Sequence, residues 1–267
     1  MICPVCQSQT NVAFTAKVLQ KYDAEYRVCP NCGYLFASAP HWLDEAYTSA
    51  IAATDTGLVK RNIAIGAKLA TFLYFGMRER GKGRYVDVAG GYGMLTRMMR
   101  DLGFDFYWQD KYCNNLLAQG FEHADRSGPY DAVTAFEVLE HVTDPVQFVR
   151  NTLSEAETKT IVFSTVLYDG APPALDWWYY AFQTGQHIGF FQKRTLELIG
   201  EKLNLSLTSH NKIHILSNKK FNAKLLKIGM GNIPSRLSAL WIQFKLDSKT
   251  EVDSKLLTKR LSSSTKQ

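Results

Sequence analysis

The sequence predicts an α/β protein built on a parallel sheet covered by helices on both faces, with a small metal-binding module at its N-terminus. Three observations carry this. Between residues 84 and 112 the chain reads strand, glycine turn, helix, strand, acid: RYVDVAGGYGMLTRMMRDLGFDFYWQDKY. Strand and helix patterns alternate five times and end in an antiparallel pair, and such alternation gives a parallel sheet. Two CPxC pairs, CPVC and CPNC, precede all of it.

The N-terminal module is expected over residues 1–39. Cys3, Cys6, Cys29 and Cys32 fall in the spacing C-x2-C-x22-C-x2-C, with β-rich runs at 12–19 and 25–28 between the pairs. Tetrahedral Zn²⁺ takes four soft ligands, and two tight CxxC turns supply two each. A closed four-cysteine set leaves no open position, so this zinc is expected to be structural. Cys113, the fifth cysteine, is expected only to pack.

Pro40 marks the next boundary. Residues 58–77 have helical period, and 85–89 form the first strand of the main sheet. Gly90, Gly91 and Gly93 make the turn after it. A helix follows over 94–102, with Leu95, Met98, Met99 and Leu102 on one face and Gly103 as its C′ residue. A second strand over 104–108 ends just before Asp110. A short helix over 113–118 and a weak strand near Phe121 come next, then a strand over 130–136. Asp144-Pro145 opens a helix running to about 155. A strand over 159–166, a helix over 193–203 and a hairpin of 205–209 with 212–216 complete the 40–218 domain.

The charge is uneven. The whole chain carries +6, but from Lys219 onward there are eleven Lys/Arg against three Asp/Glu, leaving the first 218 residues at −2. The basic character belongs to the 219–267 tail. It does not argue for nucleic acid binding by the core. Leu237, Leu240, Trp241 and Phe244 recur at helical spacing in that tail, so it is read as a partly helical segment docked on the domain, or as a basic amphipathic contact for a membrane or protein. The final LSSSTKQ is expected to be disordered. No run of about 18 apolar residues occurs and MICPVCQSQ lacks a secretory pattern, so a cytoplasmic protein is expected.

Three stretches together resemble a known family. VDVAGGYG at 86–93 is similar to the first motif of class I S-adenosylmethionine methyltransferases. FEVLEHVTDP at 136–145 resembles the stretch after their fourth strand. TGQHIGFFQKRTLELI at 184–199 resembles a block of a bacterial branch that carries an N-terminal zinc ribbon and acts on sugars and glycan intermediates. The resemblance covers roughly residues 1–217. It implies a Rossmann-like seven-stranded sheet, S-adenosylmethionine as cofactor, and a sugar, sugar nucleotide or glycan intermediate as acceptor, with nucleic acid not expected as a partner. Ala89 departs from the motif, standing where the first glycine is usual. For a nicotinamide dehydrogenase, Gly91-x-Gly93 fits the first half of GxGxxG but Thr96 occupies the third position, and the EVLEH block at 137–141 decides toward methyl transfer. RNA methyl transfer and a non-catalytic scaffold are the competing functions.

The resemblance assigns roles. Asp87, Ala89, Gly90, Gly91 and Gly93 surround the methionine part of the cofactor; Asp110 takes the ribose hydroxyls, Asp125 the adenine amine, and Phe136 lies beneath. Methyl transfer needs a base only if the acceptor must lose a proton. His141, His187 and Glu137 are the candidates, with Glu140 able to orient either histidine. The aromatic segment 168–191 is expected to cover the acceptor, with Trp177, Tyr179, Tyr180 and Gln186 nearest to it. Many of its rings must instead be core.

Overall fold

The computed structural model describes residues 1–47, 55–125 and 128–264. Its strands and helices, in chain order, are β1 (Asn11–Val18), β2 (Tyr22–Val28), β3 (Leu35–Ala37), α1 (Leu43–Ala46), α2 (Leu58–Thr71), β4 (Arg84–Val88), α3 (Met94–Asp101), β5 (Asp105–Gln109), β6 (Ala132–Ala135), α4 (Pro145–Glu155), β7 (Thr160–Ser164), β8 (Gly189–Phe190), α5 (Lys193–Lys202), β9 (Ser206–His210), β10 (Ile213–Ser217), α6 (Ala223–Gly229), α7 (Asn232–Gln243) and α8 (Thr250–Ser264). They form a mixed α/β fold with a six-stranded sheet of order β5-β4-β6-β7-β10-β9 and a four-stranded sheet of order β1-β2-β3-β8.

The sheet differs from the seven strands expected. β4 and β5 pair in parallel, and β10 is antiparallel to both β7 and β9, as the closing hairpin predicts. Among the described residues, the seventh position, beside β5, is held by an isolated parallel bridge between Trp108 and Glu122. The helix expected over 113–118 does not form. Asp110 accepts from the Tyr112 and Cys113 amides, and the Asn115 side chain bonds both the amide and the carbonyl of Ala118. Side chains here take the backbone groups that a helix would need.

Other elements follow their local signals. Asp144 caps α4 by accepting from the Gln147 amide, with Pro145 in the first turn. At the end of α3 the Phe104 amide reaches the Met99 carbonyl and the Gly103 amide reaches Arg100, the bonding of a Schellman motif around Gly103 at φ 96°. The helix expected over 58–77 forms, α-helical from Leu58 to Thr71 and continuing as a π-helical segment over Phe72–Gly76. α8 continues to Ser264, so part of the tail expected to be disordered is helical.

The chain divides into two compact units. One comprises residues 1–54 and 134–220; the other comprises 55–133 and 221–267, the division falling within β6. In the first unit, β3 pairs with β8, which brings the ribbon segment into one sheet with residues 189–190. Its core joins Val18, Tyr26, Leu35 and Trp42 to Tyr168, Tyr179, Tyr180 and Phe190. In the second unit, α2 packs along α7, and Arg100 is buried in a double contact with Asp253 of α8 at 2.7 and 2.8 Å.

Candidate active site

The second unit holds the glycine turn. Ala89, Gly91 and Gly93 all have left-handed backbone, at φ 55°, 56° and 86°. Alanine therefore occupies a conformation that glycine enters without steric cost, which is why the related motif favours glycine there. A Cβ on Gly90 would lie 2.9 Å from both an Asp87 carboxylate oxygen and the Trp108 ring; one on Gly93 would lie 2.7 Å from Asn115. The protein itself thus occupies the space that these two glycines leave, so the turn needs them whatever it binds.

Asp110 closes the turn from the end of β5. Its carboxylate accepts from the backbone amides of Gly91 at 2.8 Å, Tyr112 at 2.7 Å and Cys113 at 2.8 Å. A carboxylate offers about four lone-pair directions, so acceptor capacity remains beyond these three bonds. The Trp108 indole donates to the Gly91 carbonyl at 2.9 Å. Turn and acid are locked together before any ligand arrives.

The first unit holds a cluster of Glu140, His141 and His187, with ligand-type atoms all within 4.8 Å of one another. The two rings lie 4.8 Å apart at 87°. His187 Nδ1 is 2.7 Å from the Tyr179 carbonyl, and a carbonyl can only accept, so Nδ1 carries the proton and Nε2 the lone pair. His141 Nδ1 likewise lies 3.0 Å from the Gln186 carbonyl and 2.9 Å from the Tyr47 hydroxyl. Burial, with the neighbouring His187, pushes the His141 imidazole down to about 3, so it is neutral at physiological pH. Tyr179 donates to Glu140 Oε1 at 2.7 Å, and burial followed by Glu140 drives its phenol well up, so it stays a donor. This trio could also hold a divalent cation, since two imidazoles and a carboxylate form a familiar ligand set.

Glu137 sits in the turn just past β6 in left-handed backbone, φ 56°. Its amide donates to Ser164 Oγ at 2.8 Å, and that hydroxyl donates back to Glu137 Oε1 at 2.5 Å. A glutamate held at positive φ by a reciprocal pair is a strained residue of the kind that collects at functional sites.

In the ribbon the sulfur atoms of Cys3 and Cys32 are 3.6 Å apart and those of Cys6 and Cys29 are 3.3 Å apart, all four lying within 4.8 Å. A tetrahedral ion with Zn–S bonds of about 2.3 Å has sulfur–sulfur edges of about 3.8 Å. The four cysteines fit a zinc ion in chemistry and in size.

A family model described as a methyltransferase domain matches residues 61–210. The chain belongs to that family. The fold class agrees, and the domain is that of an S-adenosylmethionine-dependent methyltransferase. The structure is similar to that of TnmH, with 16% identity, a TM-score of 0.47, and coverage of 68% of this chain but only 62% of TnmH. Magnesium protoporphyrin IX methyltransferase (ChlM) from Synechocystis PCC 6803 with bound SAM matches at 14% identity and TM-score 0.38, covering 66% of this chain and 90% of that one. The mitomycin 7-O-methyltransferase MmcR matches at 14% and 0.37, covering 67% and 68%. No curated protein matches the chain.

The remaining expected site residues of this methyltransferase domain have distinct surroundings. Phe136 is half-buried beside Glu137. Asp125 ends the 3-10 turn His123–Asp125, and its side chain lies outside the described part of the structure. Tyr180 is core, packed on Phe14, Phe182 and Phe190. Trp177 packs on Tyr168, Tyr179 and Tyr180. Gln186 is buried, its amide donating to the Ala46 carbonyl. Trp178, rather than its neighbours Trp177, Tyr179 and Tyr180, carries the exposed ring, at 66%, with Lys212 5.1 Å from its centroid. Tyr47, a partner of His141, was also missed. It lies 94 residues away, and no local spacing connects them.

Proposed function

We propose that this protein methylates a small-molecule acceptor, of the sugar, sugar-nucleotide or glycan-intermediate class, at an atom that sheds a proton during the reaction. The observation that carries the proposal is the imidazole pair: each Nδ1 faces a backbone carbonyl, which sets the Nε2-basic tautomer in both neutral rings. When bound, S-adenosylmethionine supplies an electrophilic methyl group on sulfur. Asp110 would accept from its ribose hydroxyls, Ala89, Gly90, Gly91, Gly93 and Asp87 would hold its methionine end, Asp125 would take the adenine amine, and Phe136 would lie beneath the cofactor.

His187 Nε2 would take up the proton that the acceptor sheds, and the Nδ1 bond to Tyr179 fixes the ring in the tautomer this requires. Glu140 offsets the charge of the imidazolium so formed. Glu137, held by Ser164, positions the acceptor, and the exposed face of Trp178 stacks on an apolar sugar face. Because the donor carries the activated group, alignment and exclusion of water supply the rest.

The test has two readouts. Calorimetry with S-adenosylmethionine and S-adenosylhomocysteine measures donor binding. Release of S-adenosylhomocysteine across free and nucleotide-linked sugars measures turnover. His187→Asn should lower kcat by about 100-fold or more while donor affinity stays within about threefold. Failure of the wild-type chain to bind either donor form would sink the reading, and full turnover by His187→Asn would remove the base from it.

A further inference from the structure

The apolar side chains of α7 face the wrong way for a helix that only docks on its domain. Its buried or half-buried positions are Ser235, Ser238, Ala239 and Ile242, mostly small, and α7 packs on α2. The large ones point out: Ile233 at 73% exposed, Leu237, Leu240, Trp241, and Phe244 at 88%. Spacings of four, three, one and three residues place them on one stripe. Phe75, also exposed, extends this face by stacking on Trp241 at 5.6 Å, and neighbouring α6 exposes Leu225 and Ile228. Contiguous apolar surface of this kind marks an interaction site.

Charge identifies the partner. From Phe221 to Lys249 the chain carries five Lys/Arg and one acid, Asp247. Lys224, Lys227, Arg236 and Lys245 are exposed, and Lys245 lies 5.4 Å from the Trp241 ring. A second copy seated on this face would bring the same cations against themselves in a self-complementary interface. Nucleic acid would leave the leucine stripe in water. An anionic bilayer surface satisfies both features, taking the stripe into its headgroup region and the cations against its phosphates. We infer that α6 and α7 form a peripheral docking face for anionic phospholipid membranes.

Co-sedimentation of the full chain with phosphatidylglycerol vesicles and with neutral phosphatidylcholine vesicles tests this. Binding should be at least tenfold stronger to the anionic vesicles and weaken with salt. Leu237→Glu with Phe244→Glu should reduce it at least tenfold, as should Lys224→Glu with Lys227→Glu and Arg236→Glu. Circular dichroism and the thermal midpoint of both variants should match the wild type, because all these side chains are solvent-exposed. Absence of vesicle binding overturns the inference. So does a dimer in light scattering that the Leu237→Glu, Phe244→Glu variant dissociates.

Discussion

Single residues in the glycine turn carry measurable strain. Ala89 at φ 55° occupies a region that costs an L-residue about 1 kcal/mol or more, and glycine pays part of that difference back in chain entropy. Ala89→Gly should therefore stabilise the protein by about 0.5–1 kcal/mol, read as a higher urea midpoint at unchanged slope. Asp253 stands at the other extreme. Its carboxylate holds Arg100 in a pair whose side chains are only 4% and 5% exposed, and it also meets Arg97 at 2.9 Å. Removing one partner of a buried pair leaves the other charge uncompensated. Asp253→Ala should cost about 3–5 kcal/mol by denaturant unfolding, and Asp253→Asn should cost less.

At the scale of elements, the hairpin of β9 and β10 contains a pH response. All of β10 is buried, and in the neutral form His214 is satisfied at both nitrogens, by Ser209 at 2.8 Å and the Thr165 carbonyl at 3.1 Å. Burial lowers its imidazole from 6.5 to about 4. The unfolded chain therefore takes up a proton before the folded one does. This contribution is fully present above pH 6.5, is lost as pH falls toward 4, and is worth at most about 3 kcal/mol. His141, lowered for similar reasons, adds to the same acid limb. Unfolding free energy measured from pH 7 to 4 should fall, and His214→Gln should flatten the slope at the expense of stability at pH 7. Elements also divide what sequence can disclose. Gly103, Asp144-Pro145 and the apolar run of β7 act within a few residues, so their patterns read directly. The stretch after Asp110 has helical spacing, but Asp110 and Asn115 claim its amides, a competition that periodicity does not register.

On the scale of the whole molecule, the chain passes between its two units at residues 54, 133 and 220. The glycine turn with Asp110 belongs to one, and the imidazole cluster with the four cysteines to the other. The turn and the CxxC pairs were visible in sequence because each is a short motif. Tyr47 beside His141, the β3–β8 pairing and the return of α8 to Arg100 were not, because each joins residues some 90 to 155 positions apart. That β3–β8 pairing ties the ribbon to the block containing His187. Elemental analysis should find one zinc per chain, lost in Cys32→Ala. Stripping the metal should lower the thermal midpoint and disturb the near-ultraviolet signal of the Tyr26, Tyr180 and Phe190 core, since structural zinc binding is folding free energy.

The Arg100–Asp253 pair also orders events during synthesis. The ribosome makes Arg100 153 residues before its partner exists. In the interval the guanidinium has the Phe106 carbonyl, Asp105 and the Phe121 ring, none of which neutralises it as α8 does. The nascent chain can lay down the turn and its flanking strands, yet the cation at their base stays wet until translation has passed Asp253. The buried pair of this unit therefore waits on α8, and a nascent chain stalled before α8 is expected to present a hydrated arginine where the finished protein buries it against Asp253.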